Sequence, residues 1–198
     1  MEKKTHIGRA GEFFIMSELL LRGWNVAVPV VDVGDDVFVI DDNDKTTLRV
    51  QVKTATAERC PENENEFKGS VNLSREQLRS AQPVELIYVF LLRIDDRWRF
   101  LVIPRARLHA IRRKVVDASQ QRSGPGRRPV DDDKAKTDDL VIPIRVGATK
   151  ASAWDESLDE FLDTWPEEFK VIENGPGARR TAKPDATSGE DPAPSSRP

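Results

Sequence analysis

From Val37 to Thr54 the chain reads VFVIDDNDKTTLRVQVKT, two β-rich runs on either side of the Asp/Asn turn DDND. Side chains two apart on a strand share a face. In the second run Leu48, Val50 and Val52 therefore line one side, and Arg49, Gln51 and Lys53 line the other. The first run, Val37 to Ile40, is apolar on both faces, the pattern of a strand covered on both sides. A hairpin of this kind needs packed material above and below its sheet, so it belongs in the middle of a domain.

The flanking sequence supplies that material. Thr5 to Gly23 has a helical pattern, with Gly23 at its C-terminal end, and WNVAVPVV follows as a short strand. AERCPENENEFKG reads as a polar excursion. GSVNLSREQLRSA gives a short strand and then a helix capped by Ser74, with Gln77 three residues on as in a capping box. VELIYVFLLRIDDRWRFLVIPRARL is a second hairpin turning at Asp95-Asp96; Pro104 ends its return strand, and RARLHAIRRKVV is a helix. Residues 119–137 form a Gly/Pro/charge-rich loop, DLVIPIRV is a strand, and WDESLDEFLDTW has the pattern of an amphipathic acidic helix, suited to covering an apolar edge or to forming a homodimer. The expected architecture is one α/β domain over residues 1–172, a mixed β-sheet flanked by helices. Residues 173–198 contain five prolines and no aromatic residue. They cannot bury enough apolar surface to offset the entropy of ordering, and are expected to be disordered.

Composition excludes several classes. A net charge of −3 gives no global case for polyanion binding, although charge can be patchy. A single cysteine, Cys60, rules out an internal disulfide framework and a zinc-ligand cluster, and suits a reducing, cytoplasmic setting. The basic N-terminus has its apolar run broken by Ser17 and Glu18, so neither a signal peptide nor a membrane anchor is expected.

Three places carry candidate chemistry. On a helical wheel Glu12 falls among Phe13, Met16, Leu19 and Leu20, away from Ser17, Glu18 and Arg22. A carboxylate in an apolar stripe needs a cation, a donor or a metal beside it; the plain alternative is a carboxylate stabilising the first turn of its own helix. In VVDVGDDVFVI, Gly34 permits a close backbone approach just before the strand. Spacing alone does not rank Asp32, Asp35 and Asp36, and an Asp-rich turn accounts for them as well. The third place is the polar face with Gln51 and Lys53. His6 and His109 have no partner in the sequence, and Tyr88 and Phe90 suit the core.

Taken in order, Gly11-Glu12 on the first helix, Asp36 entering a strand and Gln51/Lys53 on the next resemble the PD-(D/E)xK nuclease superfamily, the restriction-endonuclease-like fold that includes archaeal Holliday junction resolvases. The likeness is strongest to small bacterial members whose last motif reads QVK and whose aspartate lies in a D-x-G-x-D pattern, here Asp32 to Asp36, which selects Asp36. By motif it covers residues 7–54, and by order of elements it extends to about residue 110. Two departures stand out: no proline precedes Asp36, the nearest being Pro29, and Gln51 occupies a position that is acidic in many relatives.

The resemblance implies a metal-dependent endonuclease. Asp36, the Gln51 amide oxygen and the Val52 backbone carbonyl would hold Mg²⁺ or Mn²⁺, with Glu12 completing the shell directly or through water, and Lys53 would orient the attacking water and stabilise developing charge. The substrate would be DNA, with RNA as the other polymer of the same chemistry. Between Arg93 and Arg128 stand eleven Lys/Arg against three acids; of these Arg105, Arg107, Arg112, Arg113, Lys114, Arg127 and Arg128 are the expected phosphate contacts. The reading from another class is a nuclease fold with a weakened site that binds nucleic acid or a protein partner.

Overall fold

A computed structural model describes residues 4–30, 34–41, 46–122, 130, 132, 135 and 137–172. Helix α1 (Lys4–Leu21) is followed by strands β1 (Asn25–Ala27), β2 (Val37–Ile40), β3 (Thr47–Thr56), β4 (Glu58–Cys60) and β5 (Asn63–Ser74). Then come α2 (Arg75–Arg79), the hairpin β6 (Leu86–Ile94) and β7 (Arg97–Pro104), and α3 (Arg105–Gln121). Strands β8 (Asp139–Val146), β9 (Ala151–Ala153) and β10 (Glu156–Ser157) close the chain's regular structure, followed by two single 3₁₀ turns.

The strands form two five-stranded sheets, in the orders β1-β2-β3-β6-β7 and β10-β9-β8-β5-β4. The first sheet is mixed, because β3 and β6 run parallel while its other pairs are antiparallel. One face of it packs on α1 through Ile15, Leu19, Val37, Val39, Val50, Val52, Val89 and Leu91. The other face packs on the second sheet, with Tyr88, Phe90, Leu92, Leu101 and Ile103 against Val71, Leu73, Ile142 and Ile144. The α/β class and the flanked mixed sheet are as expected, and Tyr88 and Phe90 lie in the core with no exposed surface. Both expected hairpins form, the second around Asp95 and Asp96 at φ of 43° and 63°. The DDND turn lies mostly outside the described residues, as do loop residues 123–129 and the tail 173–198. Ile172, at the end of the described chain, donates its amide to the Arg22 carbonyl at 2.8 Å.

The second sheet corrects two expectations. The polar stretch Glu58–Phe67 is not a loop but the β4–β5 hairpin, exposed over most of its length apart from the buried Cys60. Its two strands pair with each other through the backbone, and β8 joins only from Phe67 onward, so composition does not show it. WDESLDEFLDTW is not a helix. Trp154 and Asp155 take φ of 53° and 66° as the two-residue turn between β9 and β10, a geometry usually signalled by Asn-Gly. Trp154 is held there by its indole N–H on the Val141 carbonyl (3.2 Å) and by the Arg112 guanidinium 4.9 Å from its ring. Leu158, Phe161 and Leu162 still reach the core, but from irregular backbone.

Helix α1 also presents a different arc from the one its wheel suggests. Gly11, Ile15 and Leu19 face the sheet, whereas Phe13 and Leu20 are 66% and 54% exposed. The approach at Gly11 sets the rotation: a Cβ there would lie 2.3 Å from Thr54 Cγ2 and 2.9 Å from Leu91 Cδ1. Gly11→Ala is therefore expected to lower the unfolding free energy by about 1–3 kcal/mol through overpacking. At Gly8, where the nearest atom would be Thr54 Oγ1 at 3.9 Å, alanine should be neutral or stabilising by up to about 1 kcal/mol. Urea unfolding of the two variants decides the point; equal effects would mean that α1 does not pack this closely.

Candidate active site

Strand β2 pairs with β3 only from Val37–Val50 to Ile40–Thr47, while β6 follows β3 in parallel from Arg49 to Thr56. Beyond the start of β2, Asp36 takes over. Its amide donates to the Val50 carbonyl at 3.0 Å, and its Oδ2 accepts from the Val52 N–H at 2.7 Å. The carboxylate thus sits on the edge of β3 at Val52. The Val52 carbonyl leaves the strand on the same edge as its amide.

Gly34, at φ 86°, makes the approach to this point. Its carbonyl accepts from Gln77 Nε2 at 2.9 Å, so the α2 side chain that was expected to close a capping box instead ties the aspartate loop to the second sheet. The cap itself forms, with Ser74 Oγ accepting from the Gln77 amide at 3.0 Å. The aspartates that spacing could not rank are now distinct. Asp35 is buried and takes a two-bond pair from Arg49, both at 2.8 Å, a structural role. Asp32 lies outside the described residues.

Because Val50 and Val52 face α1, Gln51 and Lys53 face the second sheet. Gln51 is 6% exposed and Lys53 is half-buried. Both line a cleft of about 610 Å³ with Gly34, Asn72, Ser74 and Gln77. Lys53 makes no ion pair among the described residues, and Gln51 Oε1 is buried without a hydrogen-bond partner. Such an atom costs about 1–3 kcal/mol relative to a satisfied one and calls for a water or an ion. Tyr88, beside Gln51 in the ladder, points its phenol toward Gln77 Oε1 at 3.4 Å; burial raises its pKa, so it stays a neutral donor.

Glu12 stands in a neighbouring cleft of about 330 Å³, lined also by Gly8, Arg9, Pro29, Asp35 and Asp36. Its carboxylate is ion-paired to Arg9, one turn back on α1. The segment Gly34–Asp36 separates the two clefts. The structure therefore brings Glu12 and Asp36 into one cleft and Gln51 and Lys53 into the other, with the Asp36 carboxylate bonded to the strand between them. Among the described residues no group of three or more His, Cys, Asp and Glu side chains converges as a metal cluster. Asn72, which borders the same cleft as Lys53, is a neighbour that local pattern does not single out, because only the long-range pairing of β5 puts it there.

The expected basic surface on α3 needs correction. Arg105 is buried, donating to the Leu78 carbonyl at 2.9 Å beside Glu85. Arg112 is also buried, bonded to both oxygens of Asp132 at 2.7 and 2.8 Å. Neither is presented to a phosphate backbone. Arg107 and Lys114 are paired with Glu160 and Glu156, Arg113 is exposed, and Arg127 and Arg128 lie outside the described residues. His109 is not an ordinary surface residue: it lines a cleft with Arg79, Arg112 and Arg113, and burial, followed by the charges of Arg105, Arg113 and Arg79, lowers its pKa.

No protein-family model matches the chain, and no curated protein matches it. Among solved structures it is similar to a bacterial homing endonuclease, I-Ssp6803I, at 19% sequence identity and a TM-score of 0.38, over 54% of this chain and 68% of that one. A likeness at that distance carries no functional argument. Among the described residues no helix is long and apolar enough to cross a membrane.

The Arg112 hydrogen bonds hold the Asp132 carboxyl below its ordinary 3.8, with Arg75 adding to them against the opposing effect of burial. Asp138 is lowered as well, chiefly by the Ser74 hydroxyl. A carboxylate depressed in the folded state contributes stability that is present above its unfolded pKa and lost as pH falls through the folded one. Unfolding free energy should therefore decline below about pH 4. Asp132→Asn should flatten that part of the profile while lowering stability at neutral pH; an unchanged acid limb would show that the Arg112 pair does not form.

Proposed function

We propose that this chain is a metal-dependent nuclease of the PD-(D/E)xK type, hydrolysing phosphodiester bonds in DNA in a reducing, cytoplasmic setting. The observation that carries the reading is the placement of Asp36. Its carboxylate is fixed on the edge of β3 at Val52, and the neighbouring strand residue Gln51 buries an amide oxygen that has no hydrogen-bond partner among the described residues.

The donor set fits a hard divalent cation. Asp36 offers a carboxylate, Gln51 an unpaired amide oxygen and Val52 a carbonyl, and Mg²⁺ is usually held by one or two carboxylates with waters and phosphate oxygens filling the remainder. A cluster of three acids is not required for that. When bound, the ion supplies Lewis-acid polarisation of the phosphate and a more acidic water. The chain's own residues do the positioning. Asp36 is held in place by the Val52 amide and cannot swing with solvent. Lys53, without an acid partner among the described residues, is available to the phosphoryl oxygens and for aligning the attacking water. Glu12 reaches the site through the Asp36 cleft and acts through water, because its own carboxylate is engaged by Arg9.

Gln51 adds no negative charge, and with Glu12 paired to Arg9 this favours the second reading, a nuclease-fold module that binds nucleic acid without cutting it. A panel of linear, supercoiled, single-stranded and branched DNA, plus RNA, in Mg²⁺ or Mn²⁺ separates the two. Cutting is expected to require the metal, and to fall by about 10²–10³-fold in Lys53→Ala, the size of effect seen when one charge-stabilising donor is removed. Asp36→Asn, which keeps an oxygen for the Val52 amide, should abolish cutting with the fold intact. A folded wild type that neither cuts nor binds metal by calorimetry would leave the non-catalytic module standing.

A further inference from the structure

Strands β5 and β8 place Lys68 directly opposite Arg145. Residues opposite one another share a face, and like charges in that position repel. Both side chains are exposed, and neither has an ion-pair or hydrogen-bond partner among the described residues. The other cross-strand neighbour of Lys68 is Glu58 on β4, which balances one of the two charges. This arrangement costs stability, and nothing in the fold needs it: the opposite face of the same strands, with Val71, Ile142 and Ile144, supplies the core.

The charged face opens into a groove of about 1240 Å³, bordered by Lys53, Lys68, Ser70, Asn72 and Arg145, with Glu58 the acid on its rim. Lys53 and Asn72 also border the cleft that holds Gln51, so the two hollows form one trough. The cations of α3 compare poorly, since Arg105, Arg107, Arg112 and Lys114 are all engaged by acids. Among the described residues no aromatic side chain lines the groove. Single strands are commonly held by stacking bases on aromatic rings; a groove with cations, hydroxyls and an amide instead suits a backbone whose bases remain stacked on each other.

We propose that this trough binds the phosphodiester backbone of duplex DNA, with Lys68 and Arg145 contacting phosphates and leading the strand to Lys53. The proposal rests on the nuclease reading for its substrate, but on separate residues. The test is equilibrium binding of a blunt, mixed-sequence duplex by the full chain in EDTA, across a salt series, for wild type and the double variant Lys68→Gln/Arg145→Gln. The slope of log affinity against log salt should shrink by about 0.9 for each lost phosphate contact. Thermal unfolding of the double variant should be unchanged or raised, because a repulsive pair has been removed; a purely structural role would lower it. Arg107→Gln, on α3, should leave the slope unaltered.

An unchanged slope in the double variant, or tighter binding of an equal-length single strand by wild type, overturns the proposal. A wild type that binds duplex through Lys68 and Arg145 yet cuts nothing in Mg²⁺ removes the nuclease reading alone. Cutting that is lost in Asp36→Asn but indifferent to the double variant removes the trough alone.

Discussion

The parallel pairing of β3 with β6 governs this fold. Eight consecutive register pairs run from Arg49–Leu86 to Thr56–Arg93, and β6 is buried along nearly its whole length. Its alternate side chains enter two different cores, Ile87, Val89 and Leu91 toward α1 and Tyr88, Phe90 and Leu92 toward the second sheet. At about 1.5–3 kcal/mol for each fully buried large apolar side chain, this one strand ties the layers together. It also fixes β3, and so decides which side of β3 faces each layer.

That constraint turns a polar strand face into the floor of a cleft. In a single-sheet protein the Arg49/Gln51/Lys53 face would be wet. Here the second sheet and α2 stand over it, so Gln51 is removed from water while Lys53 remains half-exposed at the mouth. Asp36 is in reach because the β2–β3 pairing begins only at Val37, which leaves the Val52 amide for a side chain to take. An open ladder position beside a covered polar face is what the proposed chemistry would need.

Much of this was legible from local pattern. The β2–β3 and β6–β7 hairpins, α1, α3, β8 and the Ser74 cap follow from alternation, turn residues and capping chemistry that act within a few residues. The second sheet was not legible as a sheet, because β4 and the outer half of β5 carry Glu and Asn on exposed faces, and the inner half of β5 pairs with β8, about seventy residues further along the chain. The Trp154-Asp155 turn lacks glycine, and its apolar neighbours happen to recur at helical spacing. The link from Asp36 to β3 could be anticipated from hairpin register. The opposition of Lys68 and Arg145 could not, since it exists only in that long-range pairing. The arginines of α3 misled for the converse reason: their acids, Glu85, Asp132, Glu156 and Glu160, are distant in sequence and near in space.

The amide at position 51 is consistent with this geometry. A carboxylate there would be buried with its charge between Arg49, already committed to Asp35, and Lys53, and would draw Lys53 into an ion pair. Lys53 would then be less available to a phosphate. Glutamine keeps a hard oxygen in the cleft, leaves the lysine unpaired, and avoids a buried charge whenever no cation is bound. In the proposed nuclease, attraction for a divalent ion would rest on Asp36, carbonyl oxygens and the phosphate itself. In such a site metal and nucleic acid would reinforce each other's binding, because each would supply charge that the other lacks.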